Sequence, residues 1–266
     1  VKVIILDSVD FKAISGEVSK AKAQNIPVVA YDRLANGPIS AYTSFDNEKI
    51  GEQQGQALLD AVKKGGDPKR GDVVMINGAT TDPNAAFFKK GAHKVLDGQV
   101  NIAKEYDTPD WDPTNANTEM AGAISALSTQ KIIGVYSAND GMAGGAIAAL
   151  TAAHANPVPP VTGQDAEVAG IQRLLTGQQL SSIYKSIKPE AAAAAQFAVD
   201  LGSGKKATGK TTVDNGTNHS VPSVLNPTVV LTKSNIDTVI KDGYWTYNDI
   251  CTAQYVAACK AAGITQ

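Results

Sequence analysis

Residues 72–106 read DVVMINGATTDPNAAFFKKGAHKVLDGQVNIAKEY, and this stretch decides the fold. A β-branched run, Asp72 to Asn77, leads into a polar turn. From Asn84 to Leu96 apolar residues then return at three- and four-residue spacing, and a second short run, Asn101 to Tyr106, follows. Strand, helix and strand in this succession form the crossover unit of a parallel sheet.

The same alternation continues on both sides. Strands are expected at Val1 to Leu6, Pro27 to Tyr31 and Ile39 to Ser44, and again at Ile132 to Ser137, Val158 to Gly163 and Leu180 to Tyr184. Helices are expected at Phe11 to Gln24, Asn47 to Lys64, Asn115 to Ser128, Gly141 to His154, Glu167 to Leu175 and Pro189 to Leu201. The class is α/β, with two doubly wound parallel-sheet lobes joined by a hinge. Residues 1–44 and 186–227 are assigned to the N-terminal lobe, and 45–185 and 228–266 to the C-terminal lobe. Five strands follow in regular order from Asp72, whereas only three precede Asn47, so the first lobe is expected to lack its initial strand-helix units. Val1 to Leu6 would then be a bare apolar edge that invites pairing. The segment from Lys205 to Asn226 reads as a polar loop rich in Thr, Asn and Gly, and Thr228 to Leu231 as one more short strand.

Composition narrows the function. With 266 residues, 24 Lys+Arg against 26 Asp+Glu and a net charge of -2, the chain has no basic excess for a nucleic-acid groove. No apolar run approaches the ~20 residues that cross a bilayer. His93, His154 and His219 are far apart and show no metal-ligand spacing, and two cysteines cannot make a zinc ribbon. Asp107, Asp110 and Asp112 lack the central Gly and final Glu of a calcium loop. The glycines of GMAGGA, Gly141 to Ala146, sit in a helix pattern and read as tight helix packing, because G-x-G-x-x-G is absent. No cofactor, metal or catalytic motif is expected. The sequons at Asn215 and Asn218 read as chance matches in a polar loop.

Ligands of open parallel sheets bind past the carboxyl ends of the strands. The residues found there are Asp32 and Arg33, Asp82 and Asn84, Asn139 and Asp140, Gln164 and Asp165, and Lys185, with Trp111 in the loop after Tyr106. Planar and charged donors and acceptors with one large aromatic suit a polyhydroxyl ligand. Carboxylates accept from hydroxyls, bases and amides donate, and the indole covers the C–H face of a sugar. An Asp or Asn after a strand also serves as a helix N-cap, which is the competing reading for each of them.

AYDRLAN (30–36), SFDNEKIGE (44–52), SANDGMAGGAI (137–147), TGQDAEVAGI (162–171) and VIKDGYW (239–245) closely resemble, in order and spacing, the xylose-binding proteins of bacterial ABC sugar importers. The resemblance implies a type I periplasmic-binding-protein fold, two lobes closing on a pyranose, and no catalysis. Crossovers between the lobes are expected near residues 43–46, 184–187 and 225–229. Carried over by position, Asp32, Arg33, Asn84, Trp111, Asn139, Asp165 and Lys185 are the implied sugar contacts, with Asp82 and Gln164 orienting them. Asn84, Asn139 and Asp165 are expected to face the sugar from one side and Asp32 and Arg33 from the other. The implied partners are a monosaccharide, xylose favoured, and the membrane subunits of an importer, with no nucleic acid. The implied location is extracytoplasmic, either periplasmic or lipid-anchored. The alternative is the sugar-effector domain of a LacI-type regulator, which shares the fold and requires a basic helix-turn-helix ahead of it. Cys251 and Cys259, the only thiols of an exported chain, are expected to pair. Eight residues of continuous helix would rise about 12 Å, too far for a bridge, so the chain must turn back near Thr252 to Tyr255.

Overall fold

The computed structural model describes residues 1–265; Gln266, the last residue of the expected tail, lies outside them. The strands are β1 (Ile4–Leu6), β2 (Val28–Tyr31), β3 (Ala41–Phe45), β4 (Asp72–Asn77), β5 (Asn101–Asp107), β6 (Ile132–Ser137), β7 (Ser182–Lys185), β8 (Thr211–Val213), β9 (Val221–Asn226) and β10 (Thr228–Leu231). The helices are α1 (Ser15–Ala23), α2 (Asn47–Gly65), α3 (Pro83–Leu96), α4 (Pro113–Leu127), α5 (Asp140–Ala152), α6 (Val168–Thr176), α7 (Ile187–Gly202), α8 (Asp237–Lys241), α9 (Tyr247–Ile250) and α10 (Val256–Ala261). They form two compact units. The first comprises Val1–Asn47, Thr81–Ala86 and Lys185–Thr228, and the second Glu48–Thr80, Phe87–Tyr184 and the chain from Val229 onward. The short piece 81–86, drawn into the C-terminal lobe from the sequence, therefore belongs to the first unit.

In the first unit the sheet order is β1-β2-β3-β9-β8. β1, β2, β3 and β9 pair in parallel, and β8 is antiparallel to β9. Both faces are covered, as a parallel sheet requires. Val28, Ala30 and Tyr42 pack with Val18 of α1, while Val29 and Ala41 pack with Ala194 and Phe197 of α7. β1 is an edge strand and Ile5 is half exposed. The expected polar loop at 205–226 instead supplies β8 and β9, and β9 lies inside the sheet. Pro222 disguised it, since proline cannot donate to a ladder. The pairing with β3 begins only at Ser223, so Pro222 sits where β9 faces β8 alone.

The second unit places β4 between β5 and β6, and β7 beside β10. Single parallel bridges, Val135 to Val161 and Gln164 to Ile183, connect these sheets through the chain at 161–164. Spatially the order is β5-β4-β6, then 161–164, then β7-β10, which is the doubly wound order. The expected strand Val158 to Gly163 is thus only a bridge segment. Pro157, Pro159 and Pro160 remove the N–H groups that a regular ladder needs. Thr162 Oγ1 compensates by accepting from Ser137 N (2.9 Å) and donating to Ser137 O (3.1 Å). Met75, Ile76, Tyr136, Met142 and Leu150 form the buried centre of this unit. Within GMAGGA, Gly145 lies directly on the Pro113 carbonyl, so that segment is a helix-packing surface.

The C-terminal tail packs on α6 through Ile250, Cys251, Cys259 and Ile264. Cys251 and Cys259 are disulfide-bonded, with Cα atoms 6.0 Å apart. The chain turns between α9 and α10, so the two cysteines do not share one helix. No helix among the described residues is long and apolar enough to cross a membrane.

Candidate functional site

In the first unit Asp32 and Arg33 leave β2 through a tight turn. Asp32 takes a left-handed conformation (φ 59°), which Asp tolerates better than most residues. Its N–H donates to Thr43 O (2.9 Å), and its carbonyl accepts from Tyr42 Oη (2.9 Å). Arg33 Nε meets Asp82 Oδ2 at 2.8 Å, and Asp82 is nearly sealed from solvent. Asp82 also caps α3, its Oδ1 accepting from Asn84 N at 2.9 Å, so the capping and orienting roles coincide in one side chain. Asn84, at the second position of α3, donates from Nδ2 to Asp32 Oδ2 (3.2 Å) and accepts at Oδ1 from Asn47 Nδ2 (2.8 Å). Asn84 therefore joins Asp32 and Arg33 within one unit, not on the opposite side from them. Lys185, at the end of β7, lies over the Phe45 ring with Nζ 5.8 Å from its centre.

The charges of this cluster are unbalanced. Asp32 repels Asp7, Asp82 and Glu190, and Asp7 repels Glu190, while Arg33 offsets Asp7 and Asp82 and Lys185 offsets Asp82 and Glu190. Burial raises Asp82 above the usual carboxylate range, while Arg33 and the Asn84 N–H pull it back. Glu190, in the first turn of α7, is buried, and its pKa is pushed up to about 8, first by burial and then by Asp32. Its carboxyl hydrogen-bonds with the Tyr31 hydroxyl.

In the second unit Trp111 ends a 3₁₀ turn after β5, with Asp110 and Trp111 both left-handed. The indole lies on Gly78, where a Cβ would come within 2.0 Å of the ring, so only glycine fits beneath it. Phe88 meets it edge-on at 6.3 Å. Its Nε1 is buried without a hydrogen-bond partner, an uncommon state for an indole N–H. Asn139 caps α5 by accepting at Oδ1 from Met142 N (2.9 Å). That leaves its amide N–H groups as the donors available to a ligand. Gln164 donates from Nε2 to Ala138 O (2.9 Å), which ties the ends of two neighbouring strand segments together. Asp165 follows in a left-handed turn (φ 92°) and donates its N–H to Ile183 O (2.9 Å). Each candidate lies at or beyond the end of a strand or bridged segment, and the structure places Asp32, Arg33, Asp82, Asn84 and Lys185 in one unit and Trp111, Asn139, Gln164 and Asp165 in the other.

Residues 1–206 match the family described as periplasmic binding protein domain. The chain belongs to that family. This periplasmic binding protein is 39% identical over 251 residues to the D-xylose-binding periplasmic protein of Escherichia coli (strain K12), covering 92% of this chain and 74% of the relative. The D-xylose-binding periplasmic protein of Haemophilus influenzae is 35% identical over 257 residues, covering 94% and 75%. An ABC transporter solute binding protein from Clostridium phytofermentans, solved with bound β-D-glucose, aligns with a TM-score of 0.84 at 27% identity, covering 94% of this chain and 82% of that one. Each of these relatives is named as a binding protein.

Sequence reasoning missed three supporting residues of this binding protein. Gln54, fully buried on α2, donates to Ser137 O (3.0 Å) and Gly163 O (3.1 Å) and accepts from Tyr136 Oη (3.1 Å). A polar residue on the apolar face of α2 was the available signal. Asn47 reads in the sequence only as a helix start, although its amide holds Asn84. Glu190 was the lone acid at the head of an alanine-rich helix. The histidines are structural or surface groups: His93 bridges Asp97 (2.8 Å) and Glu105 (3.0 Å), and His219 meets Asp214 (2.8 Å). Among the described residues no group of three or more His, Cys, Asp and Glu could hold a metal ion.

Proposed function

We propose that this chain is an extracytoplasmic solute-binding protein that captures an aldopyranose, D-xylose in preference to other sugars, and delivers it to the membrane subunits of an ABC importer. Asp32, Arg33 and Lys185 act as sugar-contacting groups of the first unit, with Asp82 orienting Arg33 and Asn84 fixing Asp32. Trp111 is the wall for the C–H face, Asn139 a donor and Asp165 an acceptor for hydroxyls, with Gln164 holding the Asp165 turn. The observation that carries the reading is the Asp32–Asn84–Asp82–Arg33 cluster. It is a set of charged hydrogen-bonding groups fixed by one another past a strand end, and such groups bind hydroxyls more strongly than neutral ones do. Likeness to two relatives named D-xylose-binding periplasmic proteins supports the preference for D-xylose.

Calorimetric titration with D-xylose, L-arabinose, D-glucose and D-galactose tests this. D-xylose is expected to bind tightest. Tighter binding of another of these sugars would remove the xylose assignment, and no binding of any of them would remove the aldopyranose reading.

A further inference from the structure

Asp165 and Ala166 are both left-handed, with φ of 92° and 51°. Two successive non-glycine residues in this region are costly, so the surrounding structure must hold them there. Five main-chain anchors do so. Asp165 N donates to Ile183 O (2.9 Å), Ala166 N to Ser182 Oγ (3.0 Å) and Glu167 N to Asp140 Oδ2 (2.9 Å), while Asp165 O accepts from Tyr244 Oη (3.4 Å) and Ala166 O from Trp245 Nε1 (2.7 Å). Two of them lead to one carboxylate, because Ser182 Oγ in turn donates to Asp140 Oδ2 (2.8 Å).

Asp140 is fully buried and its other contacts are as close. Gln179 Nε2 donates to Oδ1 (2.6 Å), and Arg173 bonds both the Asp140 carbonyl (2.6 Å) and Gln179 Oε1 (2.9 Å). Helix α6 is pressed against the carboxylate at Gly170, where a Cβ would lie 2.2 Å from Oδ2. Trp245, which holds the Ala166 carbonyl, stacks edge-on with Tyr244 (5.1–5.3 Å separate the successive rings of Tyr184, Tyr244 and Trp245). The tail that carries Trp245 is fixed to α6 by Gln172 Nε2 donating to Ile250 O (3.1 Å) and is stapled by the disulfide.

We propose that Asp140 and Trp245 are positioning residues that together clamp the Asp165–Ala166 turn, Asp140 through its N–H groups and Trp245 through the Ala166 carbonyl, so that the C-terminal tail sets the presentation of Asp165 to sugar. This rests on the reading of Asp165 as a sugar contact. The clamp is lost when its hydrogen bonds are lost, even if the hydrophobic packing of the tail survives. Trp245→Phe removes the indole donor and retains a ring. Ala166→Gly lowers the cost of the left-handed backbone and so substitutes in part for the clamp.

The experiment compares wild type, Trp245→Phe, Asp140→Asn and Trp245→Phe/Ala166→Gly by calorimetry with D-xylose and by amide hydrogen exchange over residues 164–168. Trp245→Phe is expected to weaken D-xylose binding at least fivefold and to lower exchange protection in 164–168 at least tenfold, and Ala166→Gly is expected to recover at least half of the lost affinity. Asp140→Asn is expected to have the larger effect; if it does not fold, Trp245→Phe alone decides. Unchanged exchange protection in Trp245→Phe overturns the clamp whether or not sugar binds. Lost protection with D-xylose affinity within twofold of wild type, or no recovery by Ala166→Gly, overturns the link to Asp165. Absence of aldose binding by the wild type removes the sugar reading and leaves the clamp to be judged by exchange.

Discussion

The two clusters of candidate residues are built in different ways. In the first unit side chains hold side chains: Arg33 is paired with Asp82, Asp32 with Asn84, and Asn84 with Asn47. In the second unit the main chain is held, with Asn139 capping α5, Gln164 bonded to a carbonyl, and Asp165 set by a left-handed turn. A network of charges fails when one partner is removed, because the other remains buried and unpaired. A backbone-anchored site loses mainly the contact that was deleted.

Arg33→Met should therefore cause the largest change. It leaves Asp82 buried beside Asp32, and a stability loss of about 3 to 5 kcal/mol in urea unfolding is expected. The loss should shrink in acid, where Asp82 is protonated and needs no partner. An equal loss at pH 3 and pH 7 would show that the arginine acts by packing. Trp111→Ala should act on binding, weakening D-xylose by about 1 to 3 kcal/mol through loss of an aromatic wall. If it lowers the melting temperature and leaves the dissociation constant intact, Trp111 belongs to the core and the contrast between the clusters loses its second half.

The smallest effect sharpens the comparison through pH. The pKa of Glu190 rises from 4.5 to about 8 on folding, so the folded state holds a proton that the unfolded state releases. Its contribution to stability is fully present below pH 4.5 and is lost as pH rises through about 8. Glu190→Gln should match wild type in acid and exceed it at pH 8, by on the order of 1 kcal/mol once relaxation around the buried group is allowed for. Thermal melts of both proteins from pH 4 to pH 8 measure this. A constant difference across the range would show that the carboxyl does not titrate with folding.

Most strands and helices were legible because they are local: β-branched runs and three-to-four spacing gave β4, α3, β5 and β6 to within a residue or two. The failures were equally physical. β9 was hidden because Pro222 and its polar neighbours look like a loop until β3 and β8 are seen to flank them. The strand at 158–163 dissolved into single bridges because its prolines carry no donors. Candidate residues at strand ends were readable one at a time from residue type and position. Their grouping was not, since Asn84 is 52 residues from Asp32 along the chain yet bonds to it.

The amino-acid sequence by itself determined the α/β class, the strand-end positions of the polar residues and the geometric requirement that a Cys251–Cys259 bridge be made across a turn. These follow from periodicity, from the direction of parallel strands and from the reach of a helix. Only the tertiary structure decided that Glu190 and Asp140 are sealed from water, that Gly78 must be bare beneath Trp111, and that Trp245 reaches back 79 residues to Ala166. Burial and close approach depend on what the rest of the chain brings to each residue, and no local pattern encodes that.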